Sequence, residues 1–255
     1  MEEYLRIFTK YVYDNYDIND SLIKEKYFHS LRVANIMIIL ADELYLNDQD
    51  ILLAAFLGLF HDLGRFREVV RNSKFNNLLF DHGAYSNKIL FNDELIKDLN
   101  INEEDYLLIR KVIFCHNKKD LRENLSSREQ FFANLLRDAD KLDLLKVRMT
   151  KKHLNFKDMP NSIVIDNFLN NKTINLKDIH NGSDSCVLYL SFIKDLFFNE
   201  SYNYAMVNGY LDDLINFINV DEDKKEVFKK LVLEVEKRGM KDVREKVRSL
   251  KSRRG

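Results

Sequence analysis

The stretch ILLAAFLGLFHDLGR, residues 51–65, decides how this chain folds. Ile51 to Phe60 carries no charge, and Asn47 or Asp48 stands where a helix N-cap is wanted. Gly64 stands where a helix commonly stops, so the spacing predicts a buried helix of moderate length, far short of a membrane span. His61 and Asp62 follow the apolar run directly. An Asp carried into apolar surroundings without a partner is costly, which makes a metal ion or another cation an attractive partner.

Working outward, helical periodicity dominates. Residues 22–44 carry Tyr27, Leu31, Ala34, Ile38 and Ala41 at helical spacing, with His29 in the first turns. On the other side, residues 65–80 are polar, basic and Asn-rich and read as a long loop, followed by a short helix from His82 through Tyr85 and Leu90. Asn102 can cap a helix from Glu103 to about His116, whose first turn is acidic as the helix dipole prefers. Ser127 and Gln130 form a capping box for a helix from Arg128 to about Lys146. Further helices are expected over 162–169, 186–198, 202–218 and 224–247, with a frayed KSRRG tail. One Pro and seven Gly leave little to break helices, and alternating β-branched runs are scarce. The expectation is an all-α fold: one domain over 1–255, with a core at about 20–150 and a carboxy-terminal helical extension at about 151–255.

Bulk composition narrows the function classes. Hydrophobic residues at 45% and charged residues at 32% fit neither a disordered chain nor a membrane protein. A formal net charge of −1 gives no general electrostatic case for a nucleic-acid or membrane surface, so any anion-binding patch must be local. Cys115 and Cys186 are too few for a disulfide framework, and MEEYLRIFTK lacks the pattern of a signal peptide. A reducing cytoplasm is the default expectation.

Six residues stand out by their placement on these helices: His29, His61, Asp62, His82, His116 and Asp140. Imidazoles and carboxylates at the ends or inner faces of several helices are what a metal site in a bundle core needs, and six such groups can hold two ions. Singly each is weak, since a lone His is more often packed or exposed than a ligand. The RDADKLD segment also offers Asp138 and Asp143. His153 and His180 fall outside the pattern.

Taken in order, HSLRVA at 29–34, FHDLGR at 60–65 and RDADKLD at 137–143 resemble the HD-domain superfamily of metal-dependent phosphohydrolases. DHGAYSNKIL at 81–90 and VIFCHNK at 112–118 are similar to the two extra histidine segments of its two-metal subgroup. The resemblance covers about residues 20–150. It implies a helical bundle in which His29, His61, Asp62 and Asp140 bind one divalent metal such as Fe or Mn, and His82 and His116 complete a second, with Asp62 bridging. Asp140 matches the family's Ala-Asp position, with Asp138 the runner-up. Arg65 stands where many two-metal relatives carry Lys, which keeps the positive charge and adds bidentate phosphate geometry.

The resemblance further implies a metal-bound hydroxide attacking a phosphorus, with Asp62 and Arg65 as catalytic groups. Arg65, Arg67 and Lys118 are the substrate-binding candidates, with Arg71 and Lys74 behind them. The blander reading of the outer basic residues is a solvated loop. Tyr85 and Phe66 could stack on a nucleobase, although aromatics at helical spacing are more often core. The expected partner is a small, nucleotide-like phosphorylated substrate, with no membrane, no clear nucleic-acid surface, and room for an oligomer. Two other readings stay open: a di-iron oxygenase built on the same ligand set, and a non-catalytic nucleotide-binding module.

Overall fold

The computed structural model describes residues 1–73, 80–118, 124–150, 158–217 and 225–238. Among these residues there is no strand, so the fold is all-α as the sequence predicts. The chain divides into two compact units, Met1–Asp143 and Leu144–Gly255.

In the first unit, α1 (Glu2–Asn15) precedes α2 (Ser21–Glu43), α3 (Asp48–Phe60) and α4 (Leu63–Asn72). The Asp20 carboxylate accepts from the Leu22 and Ile23 amides to start α2, and Asn47 accepts from the Asp50 amide to start α3. α3 is buried without interruption from Leu53 to Phe60, which explains its lack of a polar stripe. It packs most extensively on α2. That approach requires Gly58: a Cβ there would lie 2.7 Å from Ala34 Cα, in the backbone of α2. Phe56 and Phe60 stack at 4.7 Å between centroids, while Phe8 meets Phe60 at 5.6 Å and Phe66 at 6.1 Å. Burying each such ring stabilises the fold by roughly 1.5–3 kcal/mol.

Several local expectations are corrected. Residues 65–72 are helical, because Leu63, Phe66 and Val69 recur at helical spacing and all three are buried. Residues 74–79 of the expected loop, Lys74 among them, lie outside the described residues. Gly64 does not end α3; it sits in α4, where an added Cβ would strike the His82 carbonyl. Phe66 is fully buried, so it is core and not a stacking platform.

α5 (His82–Asn87) is capped by Asp81, whose carboxylate accepts from the Ala84 amide, and it runs into a π-turn at Lys88–Asn92. Asn102 caps a 3-10 turn, Glu103–Asp105, which leads into α6 (Tyr106–Cys115). α7 (Ser127–Thr150) begins with a capping box one residue earlier than expected. The Ser126 amide donates to Glu129 at 2.7 Å, and the Glu129 amide donates to Ser126 Oγ at 3.3 Å.

In the second unit, α8 (Ser162–Leu169), α9 (Gly182–Lys194), α10 (Asn199–Val207), α11 (Tyr210–Phe217) and α12 (225–238) follow. The single helix expected over 202–218 is broken, since Gly209 takes φ +71° between α10 and α11. α9 starts four residues before Cys186, capped by Asn181. The expected helix to Val247 and the KSRRG tail lie outside the described residues beyond 238, as does His153. No helix among the described residues is long and apolar enough to cross a membrane.

Candidate metal centre

His61 and Asp62 occupy the two-residue break between α3 and α4. An Asp at a helix N-cap ordinarily accepts from the amides of the first turn. Asp62 is the N-cap of α4, yet its side chain makes no capping bond. The carboxylate is turned instead towards imidazoles, and its two oxygens divide them. Oδ2 lies 3.5 Å from His29 Nε2 and 3.7 Å from His61 Nε2. Oδ1 lies 3.6 Å from His82 Nε2 and 3.5 Å from His116 Nε2.

Four helix segments deliver these histidines. His29 lies within α2, His61 caps the end of α3, His82 begins α5 and His116 caps the end of α6. The far nitrogens are engaged elsewhere. His61 Nδ1 donates to the Gly58 carbonyl at 2.8 Å and His116 Nδ1 to the Ile113 carbonyl at 2.6 Å. His29 Nδ1 donates to Asp143 Oδ2 at 2.7 Å. These bonds leave Nε2 of His61 and His116 as lone pairs facing Asp62, the orientation a cation requires. The His82 and His116 Nε2 atoms face one another at 3.2 Å, and Asn117 Nδ2 lies 3.3 Å from His82 Nδ1.

Asp140 reaches the same place from α7, with Oδ1 3.2 Å from His29 Nε2. Its side chain is 37% exposed, whereas Asp62 and all four histidines are buried, so Asp140 marks the open side. The structure therefore brings together all six residues singled out as ligand candidates. Asp138 is buried and belongs to neither of the converging groups among the described residues.

The set suits a divalent cation on its own chemistry. His29 with His61 and Asp140, and His61 with Asp62 and His116, each offer ligand atoms within 4.8 Å of one another. Nε2 of His61 is buried with no hydrogen-bond partner. Buried lone pairs without partners are rare, and mixed imidazole and carboxylate donors match borderline or hard divalent ions.

The charge states are polarised. Burial and Lys26 oppose protonation of His29, but the carboxylates of Asp140, Asp143 and Asp62 outweigh them and push it up to about 10. Burial pushes His61 down to about 4 and His82 down to about 2, which keeps both imidazoles neutral. Burial works against the ionised form of Asp62, yet Lys26 and the surrounding imidazoles hold it well below the usual carboxylate range. Asp140 is likewise lowered: burial opposes its ionisation and His29 overrides that.

The candidate phosphate contacts are less uniform. Arg65 is buried, its Nη1 donating to Glu68 at 2.6 Å and its Nε 3.9 Å from Asp62 Oδ1. Lys118 lies 2.5 Å from Asp81, and Arg67 is exposed on α4. Sequence reasoning passed over Lys26, whose ammonium is 2.9 Å from Asp62 Oδ2, and also Arg32 and Glu68. A helical signal was available for each: Lys26 and Arg32 flank His29 by three residues, and Glu68 follows Arg65 by three.

A model of the HD domain family matches residues 27–156, just over half of the chain, and the matched stretch contains all six converging residues. No curated protein and no solved structure matches the chain. The ordered histidines and aspartates and this match together show that the chain belongs to the HD domain family, whose members are generally metal-dependent phosphohydrolases.

Proposed function

We propose that this chain hydrolyses a small, nucleotide-like phosphate ester or anhydride at a site holding two divalent cations. The observation that carries this reading is the division of Asp62, with Oδ2 towards His29 and His61 and Oδ1 towards His82 and His116. A carboxylate so placed is suited to bridge two cations. His29, His61 and Asp140 would complete one half, and His82 and His116 the other. When bound, divalent cations supply Lewis acidity towards phosphoryl oxygens and acidify water.

The chain's own groups supply the rest. Lys26 places an ammonium beside Asp62, on the side of Asp140 and the opening, where a phosphoryl oxygen of the substrate would gain a charge-assisted hydrogen bond. Arg65 adds fixed positive charge against Asp62, although its bond to Glu68 makes it a preset part of the wall more than a mobile clamp. The four imidazoles are buried, which limits the water around Asp62.

Metal content tests the reading on protein purified without chelator or nickel, for wild type and His82→Ala. Two ions per wild-type chain, falling towards one in the variant, are expected. With Mn²⁺ or Fe²⁺ added, turnover is expected from a panel of phosphodiesters and dinucleoside polyphosphates. A single ion unchanged by His82→Ala would overturn the two-cation reading, and dioxygen consumption without phosphate release would overturn hydrolysis.

A further inference from the structure

His29 differs from the other histidines in what holds its far nitrogen. His61 and His116 lean on backbone carbonyls and His82 faces an amide, whereas His29 donates to a carboxylate, Asp143 Oδ2, at 2.7 Å. Asp143 is only 1% exposed. It is gripped from the other side by Arg32, with Nε 2.5 Å from Oδ1 and Nη2 3.0 Å from Oδ2. The two helices thus face each other with matched pairs three residues apart, His29 and Arg32 on α2 against Asp140 and Asp143 on α7. The imidazole spans the second pair, Nε2 near Asp140 and Nδ1 on Asp143.

We propose that Asp143, clamped by Arg32, is a positioning residue that fixes His29 for cation binding in the half of the site lined by His29, His61 and Asp140. The proposal rests on the two-cation reading above. Its physical basis is threefold. A ring held through Nδ1 cannot turn its Nε2 away from the site, so the cation does not have to order it. A carboxylate behind the ring strengthens Nε2 as a donor, which a neutral carbonyl does less well. The forked guanidinium takes both oxygens of Asp143, which keeps the carboxylate charged and in one orientation. The competing account is that Arg32 and Asp143 merely tie α2 to α7.

Mn²⁺ titration of chelator-stripped protein, followed by the electron paramagnetic resonance of free Mn²⁺, separates the two accounts. Wild type, Asp143→Ala, Asp143→Asn and Arg32→Met are compared, with melting temperatures recorded. Asp143→Ala is expected to weaken one class of sites by about 10–100-fold and leave the other within about twofold. Asp143→Asn, whose amide oxygen still accepts from Nδ1, should lie between Ala and wild type. Imidazole proton–nitrogen NMR spectra should show a downfield His29 Nδ1–H signal that Asp143→Ala removes without added metal.

Wild-type affinity at both classes in Asp143→Ala overturns the proposal. So does equal weakening of both classes in step with lost melting temperature. If Asp143→Ala does not fold, the Asn and Arg32→Met variants decide. A single class in wild type overturns the two-cation reading alone, and the ratio of variant to wild-type affinity still judges Asp143. Absence of any Mn²⁺ binding overturns both.

Discussion

Two buried aspartates, one in each unit, show how differently the same side chain can be used. Asp184 in α9 accepts from the Asn161 amide at 2.6 Å through Oδ1 and from the His180 amide at 2.9 Å through Oδ2. Both oxygens are occupied by backbone donors of the preceding segment, and the carboxylate pins that segment to the helix. Asp62 is as deeply buried but makes no capping bond, and its neighbours are four imidazoles, an ammonium and a guanidinium. A carboxylate saturated by backbone amides is structural, while one ringed by titratable nitrogens has the surroundings of a ligand.

The contrast can be broken in order of expected effect. Asp62→Asn should lower kcat/KM of the metal-loaded enzyme on the order of 10⁴-fold while the chain stays folded by circular dichroism. An activity within tenfold of wild type would remove Asp62 from the chemistry. Arg65→Met takes the guanidinium from a fully buried Glu68 and should cost about 3–5 kcal/mol in urea denaturation. Arg65→Met with Glu68→Met should recover most of that; no recovery would mean the ion pair is not what Arg65 contributes. Asp184→Ala leaves two part-buried amides without their acceptor and should cost about 1–3 kcal/mol. Its kcat per folded molecule should not change, and a fall there would erase the distinction between the two aspartates.

The helical class and the six converging residues were legible in the sequence for different reasons. Helix follows from periodicity, which is local. The converging residues are spread over more than a hundred positions, and they were legible only because the segments around them are ordered as in a family of known chemistry. What surrounds them was not legible. Lys26, Arg32 and Glu68 are common charged residues on helices, and such residues usually face solvent. Only tertiary packing reveals that Lys26 and Glu68 turn inward and that Arg32 meets Asp143 on α7. Asp143 was visible as one of three aspartates in RDADKLD, but three residues of helix decide whether a carboxylate meets the Nε2 or the Nδ1 side of the same ring. α4 was missed because its polar residues, Arg65 and Glu68 among them, mask the spacing of Leu63, Phe66 and Val69. Here a buried ion pair stood where apolar residues were looked for.

The division of Asp62 between two groups of histidines carries a thermodynamic consequence. On the two-cation reading proposed above, one negative charge would serve both halves, so a cation held by one oxygen would change the field at the other. Linkage requires this influence to be mutual: the factor by which loading beside His29 alters affinity beside His82 equals the factor in the opposite direction. A substitution at residue 62 would then act on both halves. Independent adjustment would fall to partners that touch a single half, Asp143 behind His29 and Asn117 behind His82.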